Sequence, residues 1–97
     1  MELLINFSQN YIPTRITGVN TLFQQATFYG YSGFNVSGIP STNSANYYIG
    51  KNSGELFIDV AAGDYVSFQM PNNRHEALNN YWIAGKLNDK AYIVYYN

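Results

Sequence analysis

Residues 56–70 read Leu-Phe-Ile-Asp-Val-Ala-Ala-Gly-Asp-Tyr-Val-Ser-Phe-Gln-Met, and this stretch decides the fold class. Leu56, Ile58 and Val60 fall on one side of an extended chain, with Phe57 and Asp59 on the other. Beyond the break, Val66, Phe68 and Met70 alternate in the same way with Tyr65, Ser67 and Gln69. Successive side chains of a strand point to opposite faces, so an apolar and polar alternation of period two is the mark of a half-buried strand. Between the two runs, Ala61-Ala62-Gly63-Asp64 puts Gly where a positive φ is expected and Asp where it can bond its own backbone. The two strands are expected to pair as a hairpin.

Working outward, the same period recurs. Leu3, Ile5 and Phe7 alternate with Leu4 and Asn6, and residues 24–31 are rich in Thr and aromatics, which suit a pleated surface. Tyr47-Tyr48-Ile49 is a short strand closed by Gly50, and Tyr81–Ala84 and Ala91–Tyr96 complete the set. Lys51-Asn52-Ser53-Gly54 is a second turn with Gly expected at positive φ, and Pro71 ends the strand before it. Leu87-Asn88-Asp89-Lys90 is expected to join the last two strands as another hairpin, residues 32–46 read as loop, and only 73–80 has room for a turn or two of helix. The expected fold is all-β: an antiparallel β-sandwich or small barrel of about seven short strands. It forms one domain over residues 1–97, with 1–18 as an N-terminal strand or arm plus a connecting segment.

The composition narrows the function classes. Charged residues make up 11% of the chain and the net charge is −1, so the surface is built from Asn, Ser, Thr, Gln and Tyr. The basic residues Arg15, Lys51, Arg74, Lys86 and Lys90 are scattered, which disfavours nucleic acid. No apolar run approaches a membrane span, so no membrane partner is expected. Met1–Phe7 has neither the basic region nor the cleavage site of a secretion signal, and there is no cysteine, so synthesis in a cytoplasm and independence of redox state are expected. The sequons Asn6-Phe7-Ser8 and Asn35-Val36-Ser37 are attributed to chance in an Asn-rich chain.

No catalytic constellation emerges. His75 lies in a polar break with no nucleophile elbow around any serine. Glu55, Asp59 and Asp64 are acids close in sequence, but Asp64 belongs to a turn and Asp59 to the polar side of a strand. One His and no Cys exclude a zinc site of those residues alone, and Gly30, Gly33 and Gly38 lack the spacing of a phosphate-binding loop. No catalytic, cofactor-binding or metal-binding residue is assigned, and a non-enzymatic protein is expected.

The aromatic load is the positive signal: ten Tyr, six Phe and one Trp, more than a core of this size hides. Adjacent pairs (Tyr47 and Tyr48, Tyr81 and Trp82, Tyr95 and Tyr96) must split between faces, and tyrosine is enriched at interface cores. Leu3, Ile5, Phe7, Tyr48, Tyr95 and Tyr96 are the candidate interface residues. The segment Met1–Phe7 either adds a strand to a neighbouring sheet or is the first strand of its own.

From residue 46 onward the order of motifs is distinctive. Asn46-Tyr47-Tyr48-Ile49-Gly50-Lys51-Asn52 precedes Phe57–Phe68 with its Gly63-Asp64 turn. Then come Leu78-Asn79-Asn80-Tyr81-Trp82-Ile83-Ala84-Gly85-Lys86 and Ala91-Tyr92-Ile93-Val94-Tyr95-Tyr96. This C-terminal half resembles small β-rich virion proteins of tailed bacteriophages, including head-decoration and tail-associated domains; residues 1–45 match no part of the pattern. The resemblance implies an auxiliary capsid (decoration or cement) subunit that self-associates, binds the major capsid protein or other virion subunits, and resides on the virion after assembly in the host cytoplasm. It carries over no catalytic position. The competing expectation is a carbohydrate- or receptor-binding module of a tail fibre or tail tip.

Overall fold

The alternating runs do become strands, and their pairing is set by which apolar side each must hide. The computed structural model describes residues 1–17, 20–36, 39–71 and 74–97, and of 33–41 only the backbone. The ends of the expected 8–18 connection, the break at 71–73 and the second sequon therefore lie partly outside the described residues. The chain forms β1 (Glu2–Asn6), β2 (Thr14–Arg15), β3 (Leu22–Phe23), β4 (Gln25–Gly30), β5 (Ser32–Val36), β6 (Ile39–Thr42), β7 (Tyr47–Gly50), β8 (Ile58–Val60), β9 (Tyr65–Gln69), β10 (Glu76–Ala77), β11 (Trp82–Ala84) and β12 (Lys90–Tyr96). One 3₁₀ turn, Leu78–Asn80, is all that forms of the helix expected over 73–80.

Two four-stranded antiparallel sheets result, in the orders β1-β12-β4-β9 and β2-β11-β7-β8. The pairings nest: β1 with β12, β2 with β11, β4 with β9 and β7 with β8. A long hairpin folded at β7–β8 and then rolled up, so that β12 meets β4 and β11 meets β7, gives this order. This eight-strand winding of two sheets is a jelly roll. Two small ladders supplement it, β3 with β10 and β5 with β6.

The winding corrects two expectations. The turn at Ala61–Asp64 closes as read, with Asp64 N–H donating to Ala61 C=O at 3.0 Å and Gly63 at φ +82°. Yet β8 and β9 do not pair, because the turn carries the chain from one sheet to the other. The same holds at Leu87–Lys90, where Asn88 takes φ +74° and β11 and β12 end in opposite sheets. Gly54 does not adopt a positive φ. The segment 32–42, expected to be loop, forms β5–β6, where Pro40 stands opposite Asn35 and the register shifts near Ser32. Beyond the roughly seven expected strands, β2, β3 and β10 add three of two residues each, too short to show a period.

One hydrophobic cluster fills the space between the sheets. Phe28, Ala26, Ala91 and Ile93 come from the first, and Tyr47, Ile49, Val60 and Ile83 from the second. Phe28 meets Phe68 edge-on at 5.6 Å, and Phe7 meets Tyr47 at 5.7 Å, separations typical of favourable aromatic pairs. Tyr47 is fully buried, and its hydroxyl donates to Tyr29 C=O at 2.9 Å; burial pushes its phenol well above the ordinary range and keeps it protonated. Phe23, Leu78 and Tyr81 pack at one end of the cluster.

A buried polar knot ties the loop before β7 to the loop before β12. The Asp89 carboxylate accepts the N–H groups of Ser44 at 3.0 Å and Ala45 at 3.1 Å, together with the Ser44 hydroxyl. Asn43 bonds the Lys90 backbone both ways, at 2.7 and 2.8 Å. Both Asn43 and Asp89 are buried. Asp89→Ala is expected to lower stability in urea unfolding by about 2 kcal/mol, because two part-buried N–H groups lose a charged acceptor, and Asp89→Asn to restore part of it. A second test is steric. The Lys51–Glu55 turn folds back so that a Cβ on Gly50 would lie 1.9 Å from Glu55 O, whereas one on Gly54 would meet only Asn52 Oδ1, at an ordinary contact distance of 3.7 Å. Gly50→Ala is expected to cost about 2 kcal/mol or more, and Gly54→Ala less than about 0.5 kcal/mol.

Candidate assembly surface

Strand alternation that buries Ala26 and Phe28 turns their neighbours out. On the outer face of the first sheet, antiparallel register lines up Leu4, Tyr92, Tyr29 and Tyr65 in one row across all four strands. Tyr29 lies 6.1 Å from Tyr92 and 6.0 Å from Tyr65 between ring centroids. The next row is Glu2, Val94, Thr27 and Ser67, and the third is Tyr96, Gln25 and Gln69. Thr27 and Ser67 share a hydroxyl hydrogen bond at 3.0 Å. Glu2 is the one charged group in these three rows, and its carboxylate accepts the Tyr92 hydroxyl, which holds that phenol above its ordinary range. A further row, Asn6 and Lys90, adds one cation, and the result is a charge-poor sheet face with a tyrosine ladder, whose outermost member, Tyr65, is 62% exposed. Each cross-strand aromatic pair is worth about 0.2–1 kcal/mol, so the ladder is held in place by the sheet itself.

The second sheet carries its own aromatics outward. Arg15 stacks over Trp82, directly opposite in the ladder, at 5.1 Å, and its guanidinium donates to Asn79 C=O at 2.9 Å. Tyr48 meets Tyr11 at 6.0 Å, with Tyr11 in the left-handed region at φ +53°.

A pocket of about 390 Å³ is lined by both β8 and β9, an edge strand of each sheet. Its walls are Ile49, Ile58, Phe57, Phe68 and Tyr81, with Lys51 and Glu55 beside them. Phe57 is 79% exposed, the most open large apolar side chain among the described residues. Lys51 Nζ pairs with Glu76 at 2.8 Å and lies 5.3 Å from the Tyr81 ring. The pairing raises the Lys51 pKa and lowers that of Glu76, but the lysine is largely exposed and the pair adds little stability.

Of the six candidate interface residues, four turn inward. Phe7 is buried, and Leu3, Ile5 and Tyr95 pack against the core, because their strands are the ones that roof it. The segment Met1–Asn6 pairs with β12 of its own sheet, tied by the N-terminal amine to Tyr95 C=O at 3.0 Å. Tyr48 and Tyr96 do face outward, on different sheets. Tyr29, Tyr65 and Tyr92 are not among those six; alternation shows which side each takes, but the row exists only through a register that no single strand encodes. Phe57 was on the correct face from the alternation alone.

The acids serve local structure. Asp64 Oδ1 accepts Tyr65 N–H at 2.8 Å, and Asp59 accepts Asn46 Nδ2 at 3.2 Å. His75 is exposed. Among the described residues no group of three His, Cys, Asp or Glu is placed to hold a metal ion, and no helix is long and apolar enough to cross a membrane. No protein-family model, curated protein or solved structure matches this chain.

The two kinds of aromatic are separable by mutation. Phe57→Ala is expected to leave the unfolding midpoint within about 0.5 kcal/mol of the parent, whereas Phe68→Ala, which removes the edge-on partner of Phe28, is expected to cost about 3 kcal/mol.

Proposed function

We propose that this chain is a non-enzymatic virion structural protein, an auxiliary capsid subunit that binds the capsid lattice of a tailed phage. Its partners are the major capsid protein or other virion subunits, and its place is the virion surface. The observation that carries this reading is the outer face of the first sheet. A charge-poor sheet face with a preformed tyrosine row, whose only charged strand residues are Glu2 and Lys90, matches the composition of interface cores, where tyrosine is enriched and charge is depleted. Two further points support it. The C-terminal motifs resemble virion proteins of tailed phages, and jelly rolls serve in viral capsid domains, an analogy at the level of fold. On a symmetric lattice, many weak contacts of one kind add through multivalency.

The second reading, a carbohydrate- or receptor-binding module, draws on a different face. Trp82 and Tyr48 look outward from the second sheet near Arg15, Asn46 and Asp59, a mixture of stacking and hydrogen-bonding groups. Jelly rolls are also a lectin fold.

The purified protein is expected to bind pre-formed, expanded cognate capsids in fixed stoichiometry and to raise their resistance to heat. Tyr65→Ser is expected to weaken that binding at least tenfold while leaving the circular dichroism spectrum unchanged. Absence of binding to the cognate capsid sinks the proposal. Specific binding on a glycan array, abolished by Trp82→Ala, transfers the assignment to the second reading.

A further inference from the structure

The two sheets have four edges, and three of them are blunted. Strand β2 has two residues, β8 has three with Asp59 in the middle, and β1 carries Glu2. Short strands and charges are the ordinary defences against edge-to-edge pairing. The fourth edge, β9, is the least guarded: Tyr65-Val66-Ser67-Phe68-Gln69 holds no charge, no proline and no bulge, and of its outward amides only that of Tyr65 is already bonded, to the Asp64 carboxylate. Its backbone is oriented to receive a strand. Gly30 N–H donates to Asp64 C=O and Met70 N–H to Gln24 C=O, so antiparallel alternation aims Val66 and Phe68 at β4 and the amides of Ser67 and Gln69 outward.

We propose that β9 pairs with β9 of a second copy about a two-fold axis at Ser67, joining two four-stranded sheets into one of eight. The register is self-consistent. Ser67 faces the partner's Ser67 as a hydrogen-bonded pair, and Tyr65 faces the partner's Gln69, so no like charges meet. A second copy is the fitting occupant because the same flank carries the pocket between β8 and β9. The two-fold brings both pockets together, and each exposed Phe57 covers apolar wall contributed by Ile58 and Phe68. Phe57 and Tyr65 alone expose roughly 300 Å² per chain, a large share of the roughly 800 Å² per partner that a stable interface buries. The pairing does not rest on the virion reading. It would double the tyrosine-bearing face, but it stands or fails with the isolated protein.

The chain has no cysteine, which permits a clean test. Cα atoms of a hydrogen-bonded antiparallel pair lie about 5.5 Å apart, within disulfide reach. Under mild oxidation Ser67→Cys is expected to give a covalent dimer, and Leu4→Cys, on the opposite edge strand, to stay uncrosslinked. In sedimentation equilibrium the parent is expected at twice its 11.0 kDa mass. Phe57→Lys and Gln69→Pro, both at exposed positions, are expected to shift it to monomer with unchanged circular dichroism. A parent that stays monomeric at submillimolar concentration overturns the proposal. So does a dimer untouched by both substitutions, or crosslinking through Leu4→Cys in preference to Ser67→Cys. Capsid binding measured on the monomeric variants separates failure here from failure of the capsid reading.

Discussion

Everything in this fold depends on the first strand finding the last. β1 and β12 are paired from Glu2–Val94 to Asn6–Lys90, and the N-terminal amine is bonded to Tyr95 C=O. That contact closes the outermost of four nested pairings, and only nesting brings β12 beside β4 and β11 beside β7. The entropic cost of closing so long a loop grows only logarithmically with length, so distance in sequence is tolerable thermodynamically. Kinetically it is a burden, since non-local strand pairing slows folding. The aromatic pairs Phe28–Phe68 and Phe7–Tyr47, each between segments far apart in sequence, are the apolar gain that offsets it.

The same pairing connects core to surface. Along β4, Ala26 and Phe28 point in while Gln25, Thr27 and Tyr29 point out, so the register that packs Phe28 against Phe68 also sets Tyr29 between Tyr92 and Tyr65. A one-residue slip would bury the tyrosines and expose the phenylalanines. The outer ladder therefore needs no separate specification; it follows from packing the inner face correctly. The tilted rings pack on one another and the Tyr92 hydroxyl is satisfied by Glu2, which lets a charge-poor face remain in water.

Much of this was legible in the sequence and the remainder could not have been. Strand existence followed from period two at 3–7, 47–49, 56–60, 65–70 and 91–96, and the splitting of Tyr47 from Tyr48 and Tyr95 from Tyr96 followed from the same rule. The turn at Gly63 was legible because only its positive φ satisfies the chain there. What the turn connects was not, since a tight turn is compatible with a hairpin or with a corner between layers, and the choice is made by distant partners. Leu3, Ile5 and Phe7 show the limit well: alternation marks them as one face, but whether that face covers its own core or a neighbour's depends on β12. The ladder β5–β6 was hidden by its Gly, Pro and Ser content, which reads as loop.

The scarcity of charge then acquires a structural meaning. A jelly roll of this size must present two outer sheet faces and four edges to its surroundings, and proteins that remain alone usually guard them with Lys, Glu and Pro. Here the outer rows of the first sheet contain one carboxylate, already bonded to Tyr92, and one lysine, Lys90, while β9 has no charge of its own and a single edge amide capped by Asp64. With a net charge of −1, long-range repulsion between copies is also weak. The guards that do exist, Glu2 on β1 and Asp59 on β8, lie on other edges, so the gap at β9 is local rather than a general lack of polar residues. Core packing is indifferent to charges on solvent-facing positions, so stability does not account for their absence. The proposed assembly role would account for it, because every charge on a surface that is covered has to be stripped of water or paired on contact.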